Sequence, residues 1–298
     1  MGFPSIRNYV DAETDGRTLT TCWVKSFPIA PLTASYWYDM SMLPGSPSVN
    51  DYPGNALVAQ QLNSMSPGSI WHGPSQLPAM KHLTTMSVQT ATFYPSTFML
   101  CDYVLYYPMI NLDLATVQVM NNTQALPRFT DGTGLRMMLI TESTIGMNNA
   151  LVFVEYTNSE GVSGRSLSYA PYTAAPPLGM AGYGMIATVG PTVLSAGNYT
   201  MMTPFLPLQA GDTGVRSVQS IRFSEETGGG FATLALVRVL ASVSTPTSYV
   251  AAERNFIRDY LIVPSIHDDA YLGNLMLAGT NGTVNSLVRG RLEFAWGP

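Results

Sequence analysis

Apolar residues come in short runs along this chain, and nearly every run ends in glycine, proline, asparagine, aspartate or a serine and threonine cluster. The stretch 126–165 shows the habit most fully. Asp131-Gly132 and Thr133-Gly134 are turn chemistry, because glycine takes positive φ without a clash and aspartate bonds its own backbone. Leu135, Met137 and Leu139 then fall on one side of a pleat and Met138 and Ile140 on the other, the pattern of a strand covered on both faces. A polar break over 141–149 separates it from Ala150, Leu151, Val152, Phe153 and Val154, and residues 158–164 close that second strand. Met86, Val88 and Thr90 alternate with Thr85, Ser87 and Gln89, and Leu292, Phe294 and Trp296 alternate with Arg291, Glu293 and Ala295, as half-buried strands do. Further strands are expected over 112–120, 185–189, 215–223, 231–243, 260–263 and 275–278, with a hairpin turn at Asn281-Gly282. Turn signals spaced about 8–12 residues apart mark a sandwich, jelly roll or barrel. The fold class this gives is all-β, a β-sandwich or jelly-roll-like body with one or two short helices.

Residues 1–80 break the pattern, since proline recurs at 4, 28, 31, 44, 47, 53, 67, 74 and 78. Proline at that density disfavours central strands and long helices. This part is therefore expected as an extended, mostly irregular arm lying on the body, 81–298, or on a neighbouring subunit. A short helix is expected at 56–62, and a second at 95–108, where Phe98, Asp102 and Leu105 stand at helical spacing between prolines. A fully buried strand is the alternative for 95–108. Leu206-Pro207 and Thr213-Gly214-Val215-Arg216 echo Leu126-Pro127 and Thr133-Gly134-Leu135-Arg136 at a constant offset. The identities alone do not make a duplication; the shared turn and strand pattern raises two related units, about 110–180 and 190–298.

Charge enters next. Charged residues are 11% of the 298, against the usual quarter, so the surface has little repulsion of its own and suits being covered by neighbours. With a net charge of −5, nucleic acid is a poor partner. Only Lys25 and Lys81 supply lysine among 14 basic residues; arginine is enriched at interfaces and lysine depleted there. Cys22 and Cys101 form no CxxC pair and are expected reduced and buried. The N-terminus has no secretory pattern, and no apolar run is long enough for a membrane helix; the strands also look too short and irregular for a membrane barrel.

Candidate chemistry is sparse. His72, His82 and His267 stand at no metal-ligand spacing, and His267-Asp268-Asp269 reads more simply as a polar cap than as a metal site. No nucleophile elbow, P-loop, zinc-protease or dinucleotide motif occurs. Gly228-Gly229-Gly230 precedes a strand and reads as a hairpin tip, not a phosphate cradle. Glu142, Glu155, Asp131 and Asp212 sit on or beside strands, where glycosidase carboxylates can lie, but most such acids only solubilise. No catalytic, cofactor-binding or metal residue is assigned, and no cofactor is expected. Tyr36-Trp37-Tyr38 and Trp71-His72 offer either a sugar-stacking face or anchors for a subunit interface. The contact residues expected are Tyr36, Trp37, Tyr38, Trp71, Arg136 and Arg216. Seventeen methionines fit an adaptable core and interface. The sequons at Asn121, Asn198 and Asn281 carry little weight without a secretory signal.

The strings CDYVLYYP (101–108), LPRFTDGTG (126–134), GVSGR (161–165) and RLEFAWG (291–297), on this lysine-poor background, resemble virion structural proteins of tailed bacteriophages. The likeness is one of style and short strings spread over most of the chain, and it carries no catalytic residue across. It implies a non-enzymatic virion protein assembled in the host cytoplasm, a capsid decoration or cement protein contacting its own copies, with a trimer as the first symmetry to expect, and the major capsid protein. A tail-associated or carbohydrate-binding component is the alternative, with glycans as partners. Neither reading involves nucleic acid or a membrane.

Overall fold

The computed structural model describes residues 3, 5–27, 34, 36–92, 95–143, 150–169, 171–172, 185–186, 188–189, 203–259, 263–280 and 286–297. The chain opens with helix α1 (Ile6–Thr14), capped by the Ser5 hydroxyl, which accepts from the Asn8 N–H at 3.3 Å. Then come β1 (Thr18–Phe27), β2 (Trp37–Asp39), β3 (Gly45–Ser46), β4 (Gln60–Gln61), β5 (Met80–Thr90) and β6 (Ser96–Asn111). The middle holds β7 (Gln118–Val119), β8 (Arg136–Thr141), β9 (Val152–Asn158), β10 (Arg165–Tyr169), β11 (Pro171–Tyr172), β12 (Met185–Ile186) and β13 (Thr188–Val189). The last part holds β14 (Val215–Phe223), β15 (Phe231–Thr245), β16 (Ala252–Asn255), β17 (Ser265–Ile266), β18 (Leu272–Leu277) and β19 (Ser286–Gly297). The protein is all-β and sandwich-like, with three layers.

The middle layer closes on itself. Its strands run β15, β8, β12, β2, β18, β6, and β6 pairs back to β15 to complete the ring, with β4 added outside β6. On one flank lies a sheet ordered β16-β5-β19-β1-β3, on the other a sheet ordered β10-β9-β14-β7. Each layer boundary is an apolar core. Trp23, Met86, Leu292 and Phe294 of the first flanking sheet meet Tyr38, Phe98, Leu100 and Met276 of the ring. Val154, Tyr156 and Ile221 of the second meet Met137, Leu139, Leu234 and Leu236. Inside the ring lie Trp37, Cys101, Tyr103, Met138, Ile140 and Val237. The two-sided pattern of β8 is thus realised, with Met137 and Leu139 in a flanking core and Met138 and Ile140 in the ring's interior.

Several expectations need correction. Residues 1–80 are no extended arm: β1 pairs with β19 along its whole length and β2 is a ring strand. Pro44, Pro47 and Pro53 fall in connections, which leaves the proline-free 18–27 able to enter a sheet. No helix forms at 56–62. Leu57 takes a left-handed φ of 62°, and its N–H bonds the Pro108 carbonyl instead of a helical partner. Residues 96–111 are strand β6, the weaker reading of that segment. Both of its faces are covered, so apolar residues occur at every spacing, helical ones included. Of 112–120 only Gln118–Val119 is strand. The glycine run 228–230 is not a hairpin tip; it carries the chain from β14 in a flanking sheet to β15 in the ring. Cys22 is exposed and Cys101 buried, so the two are not a buried pair. Residues 260–262 and 281–285 lie outside the described residues, and with them the turn at Asn281-Gly282 and most of the strand expected at 260–263.

Candidate functional site

Polar chemistry in this protein gathers inside the ring and along one end of it. β2 carries Asp39 into the interior, where its carboxylate accepts from Tyr52 Oη at 2.5 Å, Tyr103 Oη at 2.8 Å, Ser41 N at 2.9 Å and Ser41 Oγ at 2.8 Å. Burial drives this carboxyl's pKa up, and the donated hydrogen bonds pull it back. Tyr52 and Tyr103 are raised well above the ordinary phenol value, by burial first and by the Asp39 charge next. All of these groups are satisfied by one another, with no described opening to solvent at Asp39, which is wholly buried.

A second network lies under the 267–270 loop. Arg128 grips Asp102 with two bonds, Nε to Oδ2 at 2.7 Å and Nη2 to Oδ1 at 2.5 Å, and also donates to the Leu62 and Tyr103 carbonyls. Lys81 Nζ donates to His72 Nδ1 at 3.0 Å and to the Gly73 carbonyl at 2.9 Å, and pairs with Asp268 at 3.2 Å. His72 Nε2 lies 2.9 Å from the Ala270 carbonyl, so the neutral ring bridges lysine and backbone. Burial first, and the Lys81 charge next, push His72 down to about 4. Lys25 is handled the same way: its ammonium reaches the carbonyls of Leu43, Pro47 and Ser48, and burial lowers it to about 8. Both lysines of the chain are therefore interior, 3% and 2% exposed. Neither network was legible in the sequence; a lysine count of two was the one available sign.

The expected contact residues separate. Tyr36 and Tyr38 belong to the first flanking core and Trp37 to the ring interior, all buried, so they hold this protomer together and offer no face to a neighbour. Trp71 is 57% exposed, whereas its neighbour His72 is buried, which removes the paired sugar face. Arg216 is exposed on β14 and Arg136 half-buried on β8, one in a flanking sheet and one in the ring. His267, Asp268 and Asp269 face different partners: Phe129 at 4.8 Å between ring centroids, Lys81, and Arg128. Among the described residues no three histidine, cysteine or carboxylate groups gather to hold a metal ion. Glu142 is bonded by the Thr233 hydroxyl and raised by burial, while Glu155 lies on the outer face of β9. Asp212 is held by Arg165, Tyr156 and Asn158; burial raises it, and those bonds more than offset this, leaving it at about 2.

A groove of about 770 Å³ runs across the outer face of the first flanking sheet. Its walls include Cys22, Ser87, Gln89, Glu253, Arg289 and Arg291. Arg291 is tied to Glu253 at 3.0 Å and Glu293 at 3.3 Å.

No protein-family model matches this chain, and no curated protein matches it. Among solved structures, the VP2 subviral particle of infectious bursal disease virus aligns over 94% of this chain and 80% of that one, at 8% identity and a TM-score of 0.19. A mutant VP2 of the same virus, from T=1 particles, aligns over 94% and 78% at 11% identity and 0.18. The Gx strain of that virus aligns over 94% and 81% at 8% and 0.17. Scores that low show no shared fold.

Proposed function

We propose that this chain is a non-enzymatic structural component of a virion, present in many copies and held by multivalent contacts with its own copies and with other particle proteins. The observation that carries this is an inversion of the usual surface. Both lysines are inside, while Met65, Leu77, Tyr249, Val119 and Trp71 stand outside at 88, 83, 71, 68 and 57% exposure. Lysine depletion with methionine, tyrosine and tryptophan enrichment is the composition of surfaces that become buried between proteins. The acids and histidines capable of catalysis are engaged in interior hydrogen bonds or lie apart, which fits a part that bears load and turns nothing over. Within this reading a capsid decoration or cement protein of a tailed phage is the first choice, because many modest contacts then add up through multivalency.

The test is reconstitution. Purified protein added to capsids that lack it should bind at saturating stoichiometry and raise the temperature at which they burst. Hydrolysis of a polysaccharide without capsid binding would overturn the proposal. The groove of Gln89, Glu253, Arg289 and Arg291 favours a second reading, a glycan-binding tail component. Under it the isolated protein binds a glycan array, and Arg289→Ala loses that binding.

A further inference from the structure

We infer that β1 is a docking edge for a second copy of this chain, the two copies pairing their β1 strands antiparallel about a two-fold axis at Thr20. This does not rest on the virion reading. β1 pairs with β19 without a register shift from Thr18 to Phe27, but on its other side β3 covers only Val24 and Lys25. The parity of the strand is fixed at both ends. The Arg17 carbonyl accepts from Trp296 N on the β19 side at 3.0 Å, and Ser26 N donates to the Pro44 carbonyl on the β3 side at 2.9 Å. Even-numbered residues therefore turn their N–H and C=O away from β19, so those of Thr18, Thr20 and Cys22 face outward along a row that nothing described covers. All three side chains are exposed.

An open edge of this kind is normally blunted by lysine, acid, proline or a bulge. Here 18–23 reads TLTTCW, with none of these. The free window is bounded by the start of the strand and by β3, and it is symmetric about Thr20. Antiparallel pairing of two copies sets Thr18 against Cys22, Thr20 against Thr20, and Cys22 against Thr18. Every facing pair is of the kind that exchanges two main-chain hydrogen bonds. A two-fold centred farther along the strand would drive the second copy into β3, and one centred nearer its start would leave fewer of the free residues facing one another. The partner is thus specified by the window's own symmetry: an uncharged, β-branched strand of the same length.

The test is sedimentation of the full-length chain over a concentration series. The expected result is a dimer, and a monomer for Thr20→Pro with unchanged far-UV circular dichroism, since the Thr20 N–H serves no intrachain bond. Register is read by cysteine pairing. Thr18→Cys, with Cys22 present, should give an oxidised dimer, because facing Cα atoms in such pairs lie about 5.5 Å apart, within disulfide reach. Thr18→Cys combined with Cys22→Ser should not. A wild-type monomer at every concentration overturns the inference, as does a dimer, trimer or larger species that Thr20→Pro leaves intact.

Discussion

Lys25 and Lys81 end inside the protein, and each meets backbone carbonyls that a strand or turn leaves unpaired. An amine-reactive ester added to the native protein should therefore spare both lysines, with both becoming reactive in guanidinium. Burial lowers Lys25 to about 8, so much more of this amine is neutral at about pH 7.5 than of an ordinary lysine, and its protection in a mass-spectrometric time course reports inaccessibility, not protonation. His72 supplies a pH prediction. Held at about 4 when folded against 6.5 unfolded, it takes up a proton in the unfolded chain first as pH falls. Its contribution is whole above about pH 6.5 and is lost on the way down to about 4. His72→Gln keeps an acceptor for Lys81 and a donor for Ala270 and cannot titrate. Its urea midpoint should fall less than the wild type's between pH 7 and 4.5, and parallel curves would refute the assignment. None of this could be read from residue type alone. Tyr36, Trp37 and Tyr38 look the same in sequence whether they anchor a neighbour or fill a core, and only the ring around them decides.

At the scale of elements, patterns with one covered face were legible and those with two were not. β5 alternates from Met86 to Thr90 and β19 from Ser286 to Phe294, where one side meets a core; Thr85 and Ala295, expected on the polar side, are buried. β6 is apolar on both sides, so its periodicity fits a helix as well as a strand. The echoing turns illustrate the same limit. Thr133 bridges Gly214, and Gly134 N donates to the Thr213 carbonyl at 3.1 Å, so the two copies of the motif lean on each other. Their strands then pair crosswise, β8 with β15 and β9 with β14; likeness along the chain gave no hint of that pairing. Close approach also explains Gly290, paired with Trp23 across β1 and β19. A Cβ there would stand 2.3 Å from the Trp23 indole. Gly290→Ala should cost about 2 kcal/mol by over-packing, measured by urea unfolding. Trp23→Phe in the same chain should recover part of that loss, giving a coupling energy that independent sites would lack.

The three layers do not divide into two halves, because the same strands build every core. β6 places Phe98 and Leu100 in the first flanking core, Cys101 and Tyr103 inside the ring, and Val104 and Tyr107 in the second flanking core. β15 does likewise with Ala241, Val237 and Leu236. Pairing of β1 with β19 then joins the two ends of the chain, a contact of such sequence separation that no local pattern announces it. Removing either flanking sheet would strip one side of the ring, so neither outer layer has a stable state without the other two. The molecule should accordingly unfold in a single transition despite its length. Its tryptophans make this decidable: Trp23 and Trp296 lie in the first flanking core, Trp37 in the ring and Trp71 at the surface, and none in the second flanking core. Ile221→Ala, in the outer sheet farthest from those reporters in the layer order, should cost about 3 kcal/mol as a buried truncation. If the layers unfold together, tryptophan fluorescence and far-UV circular dichroism both move to the same lower urea midpoint. If the outer sheet is a separate unit, fluorescence keeps the wild-type midpoint while circular dichroism splits into two steps, and the shared-strand account of this fold fails.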